Sequence, residues 1–334
     1  MSSTAPTTFS DVNRDIVEAH ILSRLDGPTL ASASCASSQV HSSSQQDHIW
    51  TTVCHSTWPS TATPLLRHLI STFPGGPRSF FSLSFPFLLP TTTAAASSPP
   101  PVLISAVDIH YKNKLIFTKV QETETETLTG WFRCSPFRID LLDTKDVIPT
   151  TVCHPDSDEA CAELAEEISL SWVLIDPVGR RAANLSSQKA VSVERHWLTG
   201  EVQVRFASIL AGGNRRGPTS GLVQCGIVVT CGGGSEEGAG MMQLREVSLL
   251  VEDMDGMQLT GKDSLVILHN ALEGKRKIKN REEEGRRRYR EYLERKRERR
   301  ERKLRNEGTL DMLCAAFGFG VTIFAAFWLF FICS

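Results

Sequence analysis

The side chains that could act as nucleophiles, acid–base groups or metal ligands follow none of the common catalytic or metal-binding spacings. The nine cysteines include no C-x-x-C pair and are accompanied by no His-x-x-x-His pair, so neither a zinc site nor a thiol-redox motif is predicted. No Gly-x-Ser-x-Gly segment, which would mark a hydrolase nucleophile, occurs. We therefore expect no catalytic residue, no metal and no cofactor.

Two polar pairs keep open the competing hypothesis of a hydrolase on a β-rich scaffold. Asp108 lies two residues before His110, and Arg195 directly precedes His196, so each pair could exchange protons. A structural role, in the core or at the surface, is the expectation for both pairs. The glycine run 232–234 continues into no Gly-x-Gly-x-x-Gly or Walker pattern, which argues against a nucleotide-binding loop.

The composition divides the chain into a polar part, a basic segment and an apolar C-terminal segment. Residues 1–11 are rich in serine and threonine and contain no apolar signal-peptide core. The odd number of cysteines is therefore expected to be reduced thiols in a cytosolic compartment, buried as small hydrophobic side chains. The sequon Asn184-Leu-Ser is then expected to stay unmodified.

Residues 312–333 contain no charged side chain and predict a single transmembrane helix. A helix of this length is about 33 Å long, which matches a bilayer core of about 30 Å. Because only Ser334 follows, we expect tail-anchored insertion, and the basic flank before the span is expected to keep the N-terminus cytosolic. The predicted location is the endoplasmic reticulum or another endomembrane.

Segment 273–307 carries 17 Lys/Arg against 9 Asp/Glu and predicts a solvated, basic helical stalk. Beside a membrane span, this charge is expected to attract anionic lipid headgroups. The competing hypothesis is a nucleic-acid-binding arm, but interleaved glutamates weaken the field, so no nucleic acid partner is expected. An acidic residue followed four positions later by a basic one stabilises a helix by about 0.2–0.5 kcal/mol. The pairs with this spacing are Glu282–Arg286, Glu283–Arg287, Glu284–Arg288, Glu291–Arg295, Glu298–Arg302 and Glu301–Arg305.

The N-terminal region predicts three short helices. Asp26-Gly27-Pro28 ends the first helix and begins the second, since proline is favoured in a first turn. Residues 37–44 are predicted as a turn, and a third helix is predicted from 48 to about 55. A module of about 45 residues buries little core by itself, so its apolar face needs a partner. The apolar residues at helical spacing in the first helix are Ile16, Val17, Ile21, Leu22 and Leu25.

Residues 11–50 resemble an F-box. The family pattern is Leu-Pro-x-Asp-(Val/Ile), an Ile-Leu-x-Arg-Leu helix, a leucine-led second helix and a closing Leu-Trp; the matching residues are Asp15, Ile16, Ile21, Leu22, Ser23, Arg24, Leu25, Leu30, Ile49 and Trp50. Val12 and Asn13 stand where the family has Leu-Pro. The resemblance implies a Skp-type adaptor as partner and, through it, a cullin and a RING protein. The adaptor-binding residues that it implies are Ile16, Ile21, Leu22, Leu25, Leu30 and Trp50.

The remainder predicts a strand-rich body. The segments Trp58-Pro-Ser and Phe73-Pro-Gly-Gly look like a plant subfamily of F-box proteins, and the stretch 171–206 weakly resembles phloem-lectin-like domains. One helix is predicted at 158–168. Many short strands with Gly-rich turns indicate a β-sandwich-like body. The predicted strands are 103–111, 115–122, 131–142, 170–175, 191–197, 201–209, 222–231, 244–252 and 264–269.

The predicted fold class is α+β, with an N-terminal three-helix F-box, a β-sandwich-like body, a basic helical stalk and a single C-terminal transmembrane helix. The predicted boundaries are an F-box at 9–55, a helical and loop extension at 56–85, a Pro/Ser/Thr-rich linker at 86–101, a β-rich substrate-recognition domain at 102–272, the stalk at 273–307 and the transmembrane helix at 312–333.

The resemblance implies a non-catalytic substrate-recognition subunit of a Skp–cullin–F-box ubiquitin ligase. Its partners would be the adaptor, an unknown protein substrate, and membrane lipid through the C-terminal helix. The alternative is a membrane-tethered binding module, for instance a carbohydrate-binding one, without a ligase role.

Overall fold

The computed structural model describes residues 14–90, 99–126, 130–143, 145–212, 221–233, 240–277 and 281–333. These residues form two compact units, which meet in sequence after Tyr289 and are described separately. The first unit mixes helices and antiparallel sheets, and the second is helical. The predicted mixture of helix and sheet is therefore confirmed at the level of fold class.

The first unit begins with short helices and continues with strands. Its helices are α1 (Arg14–Ile16), which runs on as a π-helical turn (Val17–Ile21) and a 3-10 turn (Leu22–Arg24), α2 (Gly27–Ala33), α3 (Ser38–Ser44), α4 (Asp47–Thr57), a 3-10 turn (Pro59–Ala62), α5 (Pro64–Ser71), α6 (Gly76–Ser84), α7 (Trp131–Cys134), α8 (Asp158–Glu167), α9 (Gly261–Glu273) and the start of α10 (Arg281–Cys333). Its strands are β1 (Phe87–Leu88), β2 (Val102–Tyr111), β3 (Lys114–Glu124), β4 (Arg138–Asp140), β5 (Ile148–Cys153), β6 (Ile168–Asp176), β7 (Arg181–Asn184), β8 (Gln188–Lys189), β9 (Ser192–Arg195), β10 (Val202–Ala211), β11 (Leu222–Gly233), β12 (Met241–Glu252) and β13 (Arg276–Lys277).

The strands form two large antiparallel sheets and one short ladder. In the five-stranded sheet the order is β3-β2-β6-β7, with β8 also paired to β6. In the six-stranded sheet β4 and β5 both pair with β12, and β11, β10 and β9 follow. The short ladder joins β1 to β13.

The five-stranded sheet packs one face against the six-stranded sheet. Val107 of β2 and Trp172 of β6 lie in the same core as Phe206 of β10 and Val247 of β12. The indole N–H of Trp172 donates to the Ser105 hydroxyl at 3.1 Å, so this ring keeps its polar atom satisfied inside the core. A shared core between two antiparallel sheets is the packing that a β-sandwich-like body requires.

The opposite face of the five-stranded sheet packs against the N-terminal helices. Because successive side chains of a strand point to opposite faces, Ile104 and Ala106 of β2 leave the first core and join a second one. This second core also contains Val173 of β6, with Trp58 and Leu66 from the helical region. The strands β2 and β6 are thus buried on both sides, which explains their nearly continuous apolar sequence.

Asp108 joins the helical region to the sheet by hydrogen bonds. Its carboxylate accepts from the backbone N–H of Ser60 at 2.9 Å and from the Ser60 hydroxyl at 2.6 Å. Thr118 of β3 donates its hydroxyl to the same carboxylate at 2.8 Å. Burial raises the pKa of Asp108, and the hydrogen bonds from Ser60 and Thr118 oppose that rise. A carboxylate in an apolar strand is therefore retained as an interlayer link.

Two of the predicted strands contain helices. Residues 131–142 form α7 and only then the short strand β4, and residues 264–269 lie inside α9. The side-chain hydroxyl of Thr260 accepts from the backbone N–H of Asp263 at 3.3 Å and caps α9. A short apolar run is ambiguous between a buried strand and a buried helix, which is why pattern alone failed here. The prediction also missed β5 and β7.

The predicted turn at 37–44 is wrong, because α3 occupies it. The Ser37 hydroxyl accepts from the backbone N–H of Val40 at 3.2 Å and caps the helix, while Val40 is buried. Serine-rich sequence favours turns, but here the hydroxyl of Ser42 donates to the Gln39 carbonyl at 2.9 Å inside the helix. The predicted three-helix module is therefore replaced, among the described residues, by the four helices α1 to α4.

The predicted linker at 86–101 begins with a short strand. Phe87 and Leu88 are buried and form β1, which pairs with β13. Residues 91–98 of the predicted linker lie outside the described residues. The helical region and the strand-rich region belong to one compact unit.

The predicted stalk at 273–307 includes β13 and residues 281–289 of α10, which belong to the first unit. The Arg288 guanidinium donates to the Leu88 carbonyl at 3.0 Å and lies 4.6 Å from the centre of the Phe87 ring. Arg286 forms an ion pair with Glu166 at 2.7 Å.

The second unit consists of α10 from Arg290 onward. Within the described parts of the chain, α10 is the one helix whose length and composition would allow it to cross a membrane. Apolar side chains in its C-terminal half, such as Phe317 and Phe324, are exposed. Of the predicted i,i+4 pairs in α10, Glu284–Arg288 forms at 2.8 Å and Glu301–Arg305 at 3.9 Å.

Replacing Asp108 tests the link between helices and sheet. In Asp108→Ala the N–H and hydroxyl of Ser60 and the hydroxyl of Thr118 lose their acceptor. We expect the free energy of unfolding to fall by about 2–6 kcal/mol, since the two Ser60 donors are buried and each orphaned buried donor costs roughly 1–3 kcal/mol. Denaturation of the full chain in mild detergent, followed by tryptophan fluorescence, measures this loss. Asp108→Asn is the matched control, because its amide oxygen still accepts; an alanine variant as stable as the asparagine variant would contradict the role.

The pH dependence of Asp108 gives a second test. Since burial raises its pKa in the folded state, the folded protein holds this proton more tightly than the unfolded chain does. The stability that this group contributes is therefore fully present below the unfolded pKa and is lost as the pH rises through the folded pKa. The test measures the free energy of unfolding of the wild type and of Asp108→Asn at a series of acidic pH values. The difference, wild type minus variant, should fall as the pH rises. A difference that rises with pH would contradict the raised pKa of Asp108.

Candidate adaptor-binding surface

The first helix presents two isoleucines to solvent. Ile16 is 49% exposed and Ile21 is 40% exposed, whereas Val17 and Leu22 point into the core of the helical region. Asp15 lies in the first turn, where a carboxylate favours the positive end of the helix dipole. The backbone changes from α-helical to π-helical and then to 3-10 geometry between residues 14 and 24, which turns Ile16 and Ile21 outward and Leu22 inward.

The second helix is placed by its N-terminal cap. The Asp26 carboxylate accepts from the backbone N–H of Thr29 at 3.0 Å, and Pro28 occupies the first turn, as the sequence predicts. A side chain at Gly27 would overlap the ring of Phe81, so only glycine allows this approach. The start of α2 is therefore fixed against α6, and Leu30 is carried into the core.

Trp50 is held inside the helical region by one hydrogen bond and one ring contact. Its indole N–H donates to the Ser44 carbonyl at 2.7 Å, and its ring lies 5.5 Å from that of Phe81. Phe81 also contacts Trp58 at 5.4 Å and stacks on Phe85 at 5.0 Å. The aromatic residues after the predicted F-box thus form part of its core.

The six residues implied by the resemblance divide into three groups. Leu22, Leu30 and Trp50 are buried in the core shared with the sheet, and Leu25 is half-buried at its edge. Ile16 and Ile21 remain at the surface. Val12 and Asn13, at the position where the family has Leu-Pro, lie outside the described residues. Of the six residues, Ile16, Ile21 and the exposed part of Leu25 are therefore accessible to solvent.

A second exposed apolar group lies on the strand-rich side, at the tip of the β9–β10 hairpin. Trp197 is 87% exposed and Leu198 is also exposed. The backbone N–H of His196 donates to the Glu201 carbonyl at 2.7 Å, and the N–H of Gly200 donates to the His196 carbonyl at 2.9 Å. These bonds hold the tip in one conformation while its two largest apolar side chains face solvent. The sequence run Arg-His-Trp-Leu signalled an aromatic residue here, but not its exposure.

The acid–base pairs of the hydrolase hypothesis are placed as structural groups. The Asp108 carboxylate is occupied by Ser60 and Thr118, and burial lowers the pKa of His110. The Nδ1 atom of His196 lies 3.2 Å from the backbone nitrogen of Thr199 in the exposed hairpin turn. Across the described ranges, no group of three or more His, Cys, Asp or Glu side chains is placed to hold a metal ion.

The interior thiols are placed for packing. Burial raises the pKa of Cys54, Cys225 and Cys231 to about 12, so these thiols remain protonated at neutral pH. A protonated thiol is a poor nucleophile and a poor metal ligand.

The side chain of Asn184, the asparagine of the sequon, is buried too, and its amide oxygen accepts from the backbone N–H of Ser186 at 3.0 Å.

Curated proteins of Arabidopsis thaliana match nearly the whole chain. It is 45% identical over 321 residues to "Probable F-box protein At2g36090", covering 95% of this chain and 92% of that protein. It is 42% identical over 333 residues to "F-box protein At2g27310", covering 97% and 96%. It is 45% identical over 311 residues to "F-box protein At3g44326", covering 91% and 85%.

No protein-family model and no solved structure matches the chain. The curated relatives nevertheless align across both the helical region and the strand-rich region, so the similarity is not confined to the first 50 residues. Identity of this extent over nearly the full length of the relatives shows that the chain belongs to the plant F-box protein family.

Proposed function

We propose that this chain is the substrate-recognition subunit of a Skp–cullin–F-box ubiquitin ligase that is attached to a cytosol-facing membrane through α10. Membership of the F-box family supports a ubiquitin-ligase role and a Skp-type adaptor as partner at a coarse level. The observation that carries the finer proposal is the pair of large apolar side chains, Ile16 and Ile21, that the N-terminal helix leaves exposed. F-box proteins are in general non-catalytic adaptors, and this chain supplies no reacting group in the proposal.

In this proposal Ile16, Ile21 and Leu25 contact the adaptor. Leu22, Leu30 and Trp50 act one layer below, because they pack in the core and hold α1, α2 and α4 in place. Apolar side chains that leave water on binding contribute about 25 cal/mol per Å² of buried area. Two isoleucines on one helix face, flanked by polar residues, therefore suit a protein partner with an apolar groove.

The layered packing supports a scaffolding mechanism. The helical region shares a core with β2 and β6, and the Asp108–Ser60 bonds cross the same boundary. A substrate held on the strand-rich side would then keep a fixed distance from the adaptor. Such a fixed geometry raises the effective concentration of substrate lysines near the activated ubiquitin, which is how a subunit without catalytic groups accelerates transfer.

The exposed hairpin tip is the proposed substrate contact. Trp197 and Leu198 are large apolar side chains on a hydrogen-bonded turn, and tryptophan is enriched among the residues that dominate binding energy in interfaces. Because the turn is already ordered, binding there would lose little conformational entropy.

The adaptor contact is tested by the double variant Ile16→Asp/Ile21→Asp. Two carboxylates in an apolar groove would be desolvated without partners, so we expect the Kd for a Skp-type adaptor to rise at least about tenfold, or about 1.4 kcal/mol. Co-purification and titration calorimetry with the full chain in mild detergent measure this.

The matched control for that variant is Leu115→Asp/Val178→Asp. These two side chains are also exposed but lie on the strand-rich side. Wild-type adaptor affinity is expected for the control. Weakening in both variants, or in neither, would contradict an adaptor surface at Ile16 and Ile21.

The substrate contact is tested by Trp197→Ala/Leu198→Ala. We expect this variant to keep the adaptor but to lose specific co-purifying proteins and their ubiquitination, as read by quantitative mass spectrometry. Val178→Ala, a similarly exposed residue in the β6–β7 turn, is the control and should leave these proteins in place. An unchanged set of bound proteins in the tryptophan–leucine variant would place substrate capture elsewhere.

A further inference from the structure

Four of the five acidic residues between 290 and 307 lie on one face of α10. An α-helix returns to the same face every three to four residues. Between residues 290 and 307, four glutamates follow a 3-4-3 spacing: Glu291, Glu294, Glu298 and Glu301. Arg297 and Arg305 form ion pairs with Glu301 at 3.1 and 3.9 Å. Arg297 at the border of this acidic face and Arg305 within it therefore compensate part of its charge.

Six of the nine cations of the segment form a cationic face, and Arg290, Arg297 and Arg305 lie outside it. At about 100° per residue and with Arg290 at zero, the six cations fall between roughly 120° and 280°, whereas the four glutamates fall between roughly 20° and 100°. Glu307 is the one acidic residue of the segment on the cationic side. The cationic face consists of Arg295, Lys296, Arg299, Arg300, Arg302 and Lys303, which are exposed or half-buried.

This segregation favours contact with an extended anionic surface. A stalk that needs only solubility gains most from alternating charges around its axis, because i,i+4 pairs of opposite sign support the helix. Pairs such as Glu298–Arg302 keep this support where the two faces adjoin, but Glu307 is the one acidic residue on the cationic side. The helix therefore has one side that is attracted by a negative surface and another side that carries most of the glutamates.

The continuity of α10 identifies that surface. The segment runs without interruption into the uncharged stretch 312–333, which suits a bilayer by length and composition. A bilayer is thus the extended surface that the segment meets first in the proposed membrane attachment. Cationic side chains beside a span are drawn to anionic headgroups within about one Debye length, roughly 8–10 Å at physiological salt.

The distances along the helix require a bend or a tilt. Lys303 lies about 13 Å and Arg295 about 25 Å before Met312 along the axis, at about 1.5 Å per residue. A helix normal to the bilayer would hold Arg295 beyond the reach of the headgroups. Gly308 lies between the cationic face and the uncharged stretch, and no atom lies within 4 Å of the point where its side chain would begin. Glycine is also a weak helix former, so a bend is easiest there.

We propose that the cationic face docks on a bilayer surface that contains anionic phospholipid, with α10 bending at Gly308; this inference rests on the proposed membrane attachment. The docked segment lies along the membrane with its acidic face toward the cytosol. A membrane rich in anionic lipid then sets the orientation of the N-terminal end of this segment.

Trypsin provides the readout, because it cleaves after lysine and arginine throughout this segment. The full chain is reconstituted into nanodiscs of phosphatidylcholine alone, or of equal amounts of phosphatidylcholine and phosphatidylserine. We expect cleavage within residues 290–307 to be at least about fivefold slower in the anionic nanodiscs. At about 1 M salt, where the Debye length falls to about 3 Å, this protection is expected to disappear.

A variant that exchanges charges between the two faces tests whether protection depends on the arrangement of the charges or only on the net charge. Glu298→Arg/Arg299→Glu/Arg300→Glu/Glu301→Arg keeps the composition but moves two carboxylates onto the cationic face. It should be cleaved at equal rates in both nanodiscs. The matched control Arg297→Glu/Glu301→Arg also keeps the composition but leaves the cationic face intact, and it should retain the protection. Far-UV circular dichroism checks that all three chains are equally helical.

The outcomes separate this inference from the proposed function. A chain that fails to co-elute with either nanodisc would overturn the membrane attachment and this inference together. A chain that co-elutes with both nanodiscs but shows equal cleavage rates, or an exchange variant that stays protected, would overturn the anionic docking alone. Protection by double-stranded DNA in neutral nanodiscs, without protection by phosphatidylserine, would assign the cationic face to nucleic acid.

Discussion

The burial of both faces of the five-stranded sheet is the constraint on which the rest of the first unit depends. One face closes the core with the six-stranded sheet, and the other supports the N-terminal helices. Side chains such as Val107 and Ala106 are neighbours in sequence but serve different cores. Separating either the N-terminal helices or the six-stranded sheet from the five-stranded sheet would therefore expose apolar area to water. The N-terminal helices and both large sheets belong to one compact unit for this reason.

That constraint explains which residues of the F-box resemblance remain available to a partner. A free-standing module would present its whole apolar face outward, which is what the pattern of the first 50 residues implies. In the folded chain, the sheet and the aromatic residues around Phe81 occupy most of that face. Ile16 and Ile21 stay outside because the backbone turns between the α1 helix and the 3-10 turn. The proposed adaptor surface is therefore small, and the residues beneath it serve to hold it in shape.

The charged helix α10 belongs to both units, because its first residues are part of the first unit and the remainder forms the second. Residues 281–289 carry arginines that bond to the first unit, such as Arg286 with Glu166 and Arg288 with the Leu88 carbonyl. From Arg290 onward, the same kind of sequence forms a separate unit in which four of the five glutamates up to Glu307 share one face of the helix. Net charge alone does not distinguish these two uses, since both stretches are basic. The difference lies in where the partners are, because Arg286 pairs with Glu166, far away in sequence, whereas Arg297 pairs with Glu301 of the same helix.

The sequence by itself determined the family, the uncharged C-terminal stretch and most of the long strands, because these depend on local order. An F-box pattern, a span of uncharged residues and a period of two are each carried within one short segment. The start of α2 was also predictable, since Asp26 and Pro28 act within a single turn. The tertiary structure alone decided that 264–269 is helical, that Phe87 pairs with β13, and that Trp50 is buried. These outcomes depend on which surfaces meet, and contacts between residues far apart in the chain leave no mark in a local pattern.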